Sequence, residues 1–130
     1  MFSSLDFIYV PTPDVPSAID YYVSVLGAEL VWRIRDGETV VASVRVSETG
    51  PALLLASHLA GNVPILIYRV ARLQAMMAEL RSRGWQPEGE PFEIPHGPCV
   101  TFGDPSGQRF ALYELVRPEA NEHFRGRLDP

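Results

Sequence analysis

Cysteine occurs once in the 130 residues, at Cys99, so no disulfide can close within the chain and a reducing compartment suits it. Basic residues are outnumbered by acidic ones, 11 against 16, leaving a net charge of −5. That balance argues against a nucleic-acid backbone or an anionic membrane as the main partner. Long apolar runs are missing too: Pro, Gly, Asn and Ser break the uncharged stretches before any reaches the roughly 18 residues that a bilayer demands. The opening Met1-Phe-Ser-Ser-Leu-Asp has no basic stretch ahead of an apolar one, so no secretory signal is expected. No Ser-His-Asp arrangement, phosphate-cradling glycine loop or zinc ribbon can be read. The expectation is a cytoplasmic, soluble protein with neither a membrane nor a nucleic-acid partner.

What is present describes a packed domain. Apolar residues make up 46% and aromatics 10%, with a mean hydropathy of +0.01. A chain of this length buries roughly two thirds of the surface it exposes when unfolded. The 12 prolines scatter among loops and form no tract.

Read in order, residues 5–10 form a strand stopped by Pro11-Thr-Pro13. Asp14 then caps a helix in which Val15, Ile19, Tyr22 and Leu26 recur at helical spacing, with Gly27 placed to end it. Strands follow over 29–35, 39–46 and 52–57, split by the hairpin signal Asp36-Gly37 and by Thr49-Gly50-Pro51. After Gly61-Asn62 the same order restarts: a strand over 64–70, a helix on the stripe Leu73, Met76, Met77, Leu80, then strands over 86–94, 99–103 and 108–116. The last two strands are joined by the turn Asp104-Pro-Ser-Gly107. The fold class is therefore α+β: two βαβββ modules, residues 1–60 and 61–116, with 117–130 as a surface tail carrying at most a short helix and Phe124 against the body.

Three segments carry a resemblance: Leu5-Asp-Phe-Ile-Tyr-Val, the helix Ala18-Ile-Asp-Tyr-Tyr-Val-Ser-Val-Leu-Gly27, and Phe102-Gly-Asp-Pro-Ser-Gly-Gln-Arg-Phe-Ala-Leu-Tyr-Glu114. Together they resemble the vicinal oxygen chelate superfamily of glyoxalase I, bleomycin and fosfomycin resistance proteins and extradiol dioxygenases. The resemblance implies paired βαβββ modules around a cleft, commonly a homodimer, and in the enzymes one divalent metal held from strands 1, 4, 5 and 8. The matching positions here are Phe7, Ile65 and Ala111, and strand 4 reads Ala52-Leu-Leu-Leu-Ala-Ser57 with no acid. The side chains of Phe7, Ile65 and Ala111 have no lone pair to offer a cation, and an uncompensated buried ion is prohibitively costly. No metal or other cofactor is expected, which turns the reading toward the metal-free, ligand-binding branch that includes the bleomycin resistance proteins.

Strand alternation then assigns the cleft. Phe7 and Tyr9 face it from strand 1, and Ile65, Ile67 and Arg69 from strand 5. Ala111 and Tyr113 join from strand 8, with Arg109 beside them, Trp32 as a further wall and His96 at its border. Arg69 needs a carboxylate, either Asp6 or Glu114. His58 reads as a solvated loop residue, His123 as exposed, and Cys99 as a passive thiol beside Thr101. Such a lining suits a flat, partly aromatic or cationic small molecule. Two alternatives remain at this point: an enzyme without metal using Tyr9, Glu114, His58 or His96 as acid and base, and a non-standard metal site from His58, His96 and Glu114 across a dimer.

Overall fold

A computed structural model describes residues 1–130, the side chain at position 121 aside. The first module contains β1 (Ser4–Pro11), α1 (Val15–Asp20), β2 (Glu29–Asp36), β3 (Thr39–Arg45) and β4 (Ala52–Ala56). The second contains β5 (Ile65–Val70), α2 (Leu73–Arg81), β6 (Phe92–Ile94), β7 (Gly97–Gly103) and β8 (Arg109–Glu114), and α3 (Ala120–His123) follows. All eight strands form one mixed sheet, ordered β2-β3-β4-β1-β5-β8-β7-β6. Each module closes with a parallel pair, β1 with β4 and β5 with β8, and the modules meet through the antiparallel pair β1 and β5.

The sheet curls, so one face is convex and carries the helices while the other is concave. Alternation sorts the side chains between them. On the convex side Val15 and Ile19 of α1 pack on Val40, Ala42, Val44 and Leu55, and Leu73 and Met77 of α2 pack on Val70, Val100 and Leu112. On the concave side Ile65, Ile67, Cys99, Ala111 and Tyr113 form a third cluster with Phe7 and Tyr9 against it. These faces are the ones that the alternating apolar pattern of β1, β5 and β8 specifies.

The local signals behave as their chemistry requires. Asp14 caps α1 by accepting from the Ser17 N–H at 3.1 Å. Asp104 Oδ1 accepts from the backbone of Ser106 and Gln108, each at 2.9 Å, and holds the β7–β8 turn.

Two elements depart from the sequence reading. The first helix is α-helical only to Asp20; residues 21–25 widen into a π-helical turn, with the Leu26 N–H reaching the Tyr21 carbonyl at 3.2 Å. The expected strand over 86–94 shrinks to Phe92–Ile94, because Pro87 and Pro91 cannot donate to a ladder.

Arg72 at the start of α2 gives no side-chain cap, and Glu114 of β8 takes over: its Oε1 accepts from the Leu73 N–H at 2.8 Å. Glu114 is thus neither the partner of Arg69 nor in the cleft. Glu114→Ala is expected to cost about 1 kcal/mol in urea unfolding, the usual worth of a helix cap, while Glu114→Gln keeps most of it because the amide oxygen still accepts.

Candidate functional site

The concave face encloses a cavity of about 440 Å³. Its floor is Phe7 and Tyr9 of β1, Leu54 of β4, Ile65 and Ile67 of β5 and Ala111 of β8. Trp32, Phe92, Ile94 and Phe124 form apolar sides, and the polar atoms come from Tyr9, His58, His96, Cys99, Thr101 and Arg109. Arg109 is held at the rim by Glu88, Nη2 to Oε2 at 3.0 Å.

Of the ten residues expected in or beside the cleft, eight line this cavity: Phe7, Tyr9, Trp32, Ile65, Ile67, His96, Arg109 and Ala111. Arg69 and Tyr113 do not. They line a smaller, polar pocket farther along the same face, with Asp6, Arg45 and Phe7. The rings of Phe7, His96 and Tyr113 stand between the two spaces, with centroids 5.3 Å (Phe7–His96), 6.0 Å (Phe7–Tyr113) and 5.8 Å (His96–Tyr113) apart. In the smaller pocket Asp6 accepts from the Tyr113 hydroxyl and from Ser4 Oγ at 2.6 Å, and it pairs with Arg69 Nε at 3.4 Å. The charge on Arg69 is therefore compensated by Asp6.

Two bulges decide which side chains reach the concave face. The β1–β5 register slips between Leu5 and Phe7, so Asp6 turns to the same side as Phe7. The β2–β3 register slips between Leu30 and Trp32; Leu30 packs into the convex core while Trp32, two residues on, lines the cavity. Strict alternation would have put Leu30 and Trp32 on one face.

His58 was expected to be a solvated loop residue. It is exposed, yet it also borders the cavity, edge-on to Tyr9 with centroids 6.3 Å apart. Phe124 was expected only to tuck against the body; it closes one side of the cavity on Trp32, 5.5 Å between centroids. The segment 117–130 is thus no plain surface extension, and a lone phenylalanine in a polar stretch was its one signal. His123 is exposed, as expected, and lies edge-on to Phe124.

Burial moves the ionisable groups here. It pushes the Cys99 thiol up to about 11. It raises the Tyr9 hydroxyl, with the nearby Cys99 adding to the effect. Tyr113 is raised by burial first and by its bond to Asp6 second. A thiol shifted from about 9 to about 11 holds roughly a hundredth of the usual thiolate at pH 8, so iodoacetamide is expected to modify Cys99 about a hundredfold more slowly in the folded protein than after urea unfolding. The unfolded chain loses this proton first, so the contribution to stability is complete below pH 9 and disappears as pH rises through 11. Urea midpoints at pH 8 and 10 are expected to fall less in Cys99→Ala than in the parent.

The positions at which the resemblance places metal ligands are Phe7, Ile65 and Ala111, with Leu54 the β4 side chain in the cavity. None carries a donor atom, so these residues do not fit a divalent ion. Among the described residues no group of three or more His, Cys, Asp or Glu side chains comes together elsewhere to hold one. No helix among the described residues is long and apolar enough to cross a membrane.

The sequence model of the Glyoxalase/Bleomycin resistance protein/Dioxygenase superfamily matches residues 4–112. The chain belongs to this superfamily. Among solved structures it is similar to methylmalonyl-CoA epimerase from Mycobacterium tuberculosis, at 21% identity over 92% of this chain and 93% of that one, with a TM-score of 0.73. It is also similar to a variant of the Streptomyces coelicolor methylmalonyl-CoA epimerase in complex with 2-nitronate-propionyl-CoA, at 18% identity over 90% and 100% of the two chains, TM-score 0.70. A hypothetical protein from Bacillus halodurans C-125 is 15% identical over 88% and 95%, TM-score 0.68. At such identities the likeness is one of superfamily fold. No functionally curated protein matches the sequence.

Proposed function

We propose that this superfamily member binds a small, flat, largely apolar molecule in the concave cavity without a divalent metal. The observation that carries the reading is the lining: a cavity of about 440 Å³ walled by Phe7, Tyr9, Trp32, Phe124 and aliphatic side chains, with a few polar tips to set orientation. Metal-free binding rests on the donor chemistry of Phe7, Leu54, Ile65 and Ala111. Among the described residues no carboxylate lines the cavity, so the net charge of −5 is not continued inside. A neutral aromatic ligand, or one with a single weakly anionic group near Arg109, suits it better than a cation. Thermal unfolding against a panel of compounds tests this. Neutral polycyclic aromatics are expected to raise Tm by several degrees when present at about a hundred times their Kd, and aliphatic polyamines to leave it unchanged. Stabilisation by the polyamines alone would overturn the reading.

One arrangement favours a second reading, proton transfer on a bound substrate. His58 follows β4 of the first module and His96 precedes β7 of the second, so the cavity has an imidazole from each module. The structural likeness to methylmalonyl-CoA epimerases supplies the substrate to try. Deuterium incorporation at the α-carbon of methylmalonyl-CoA in D2O, lost in His58→Gln and His96→Gln, would support catalysis; no incorporation would remove this reading for that substrate.

A further inference from the structure

Residues 117–130 leave β8 and cross the mouth of the curled sheet to the far edge of β2. The departure is tightly held. The Val116 and Arg117 N–H groups both donate to the His96 carbonyl at 3.0 Å, and the Arg117 guanidinium donates to the carbonyls of Pro95 and Ile94 at 2.8 Å and to Glu93 at 2.6 Å. In the middle, Ala120 and Phe124 line the cavity, and the Arg127 guanidinium lies 5.9 Å over the Phe124 ring.

The arrival is a short parallel bridge of Leu128 with Arg33. Arg33 N–H donates to the Arg127 carbonyl at 2.7 Å, Asp129 N–H to the Arg33 carbonyl at 2.9 Å, and Arg35 N–H to Asp129 Oδ2 at 3.0 Å. The bridge also covers an otherwise open sheet edge. The two ends differ in strength. The departure joins a buried crossing, where Gly97 packs against the end of β8, whereas the arrival lies along a sheet edge, on the half-buried Arg33 and Asp129 and the exposed Arg35 and Arg127, with Arg33 Nε donating to the Asp129 carbonyl at 2.6 Å and Arg127 paired with Asp129 at 2.7 Å. Such an edge opens at a lower free-energy cost than a buried crossing.

We propose that the segment 117–130 is a movable wall of the ligand site: Phe124, paired with Trp32, selects the flat molecules that fit, and release of the Asp129 anchor from β2 controls their exchange. This rests on the reading of the cavity as a ligand site. It makes Phe124 a specificity-determining residue that sits outside the eight-stranded sheet, and it assigns Asp129, which does not line the cavity, a role in rates alone.

The test separates the two claims. In a Trp85→Phe background Trp32 is the sole indole, and Trp85 packs in the convex core on Phe102 with its indole N–H unpartnered among the described residues, so this replacement strips no hydrogen bond. Asp129→Pro removes the anchoring carboxylate and N–H together. It is expected to raise acrylamide quenching of Trp32 at least twofold. It is also expected to speed association and dissociation of 8-anilinonaphthalene-1-sulfonate by similar factors, leaving Kd within about threefold. Phe124→Ala is expected to weaken the dye at least fivefold, and Phe124→Tyr to retain it. Unchanged quenching and rates in Asp129→Pro, with the dye bound by the parent, would overturn the movable wall alone. A parent that does not bind the dye overturns the cavity reading on which the proposal rests.

Discussion

Ala111→Phe is expected to weaken 8-anilinonaphthalene-1-sulfonate binding by at least about thirtyfold, or roughly 2 kcal/mol, with little loss of stability. Ala111 lies at the centre of the concave floor, paired with Ile67 on one side and Thr101 on the other. Ala111 lines the cavity, so an added ring projects into space that a ligand would fill. Overpacking is costly where a core is already full, and here it is not. Fluorescence titration of the variant measures the affinity, and urea unfolding checks the stability. Full affinity in a stably folded Ala111→Phe would mean that the dye binds outside this cavity.

Gly97→Ala is expected to destabilise the fold by about 3 kcal/mol or more, the range in which a backbone collision adds to left-handed strain. Gly97 opens β7 with φ of +153°, and a Cβ there would lie 2.1 Å from the Glu114 carbonyl oxygen and 3.0 Å from Val116 Cγ2. The carbonyl oxygen is backbone and cannot swing aside as the exposed Val116 methyl can. Making room would part the β6–β7 turn from the end of β8, where Val116 and Arg117 bond to the His96 carbonyl. Gly61 provides the contrast: its φ is +78°, but a Cβ would meet nothing within 4 Å. Gly61→Ala should therefore cost only about 1 kcal/mol of conformational strain. Urea unfolding of the two variants side by side measures the difference, and equal stabilities would show that the close approach at Gly97 does not matter.

The sequence makes the frame of this site readable because its frame is periodic. Alternation along 5–10, 64–70 and 108–116 places Phe7, Tyr9, Ile65, Ile67 and Ala111 on one face, and the turn residues at Asp36-Gly37 and Asp104–Gly107 fix how the strands return. The rest depends on events that alternation cannot encode. A bulge at Val31 separates Leu30 from Trp32, and a second turns Asp6 inward to meet Tyr113 and Arg69. Arg69 and Tyr113 share the expected face, yet they lie beyond the partition of aromatic rings, which exists only once Phe7, His96 and Tyr113 have come together from three separate segments. Phe124 reaches Trp32 across 92 positions of chain, a contact set by where the edges of a curled sheet end up. Glu114 looks like a catalytic acid in the sequence because nothing local reveals that the N-terminus of α2 lacks a cap of its own.

The most direct test of the cavity reading is a titration of Trp32 fluorescence with 8-anilinonaphthalene-1-sulfonate in Trp85→Phe protein, run in EDTA and again with added Mn²⁺, Zn²⁺ or Ni²⁺. One saturable site that perturbs Trp32, with the same affinity in chelator and in metal, is the result expected of a cavity that grips its ligand by rings and aliphatic side chains alone. Binding that vanishes in EDTA and returns with one equivalent of metal would contradict it.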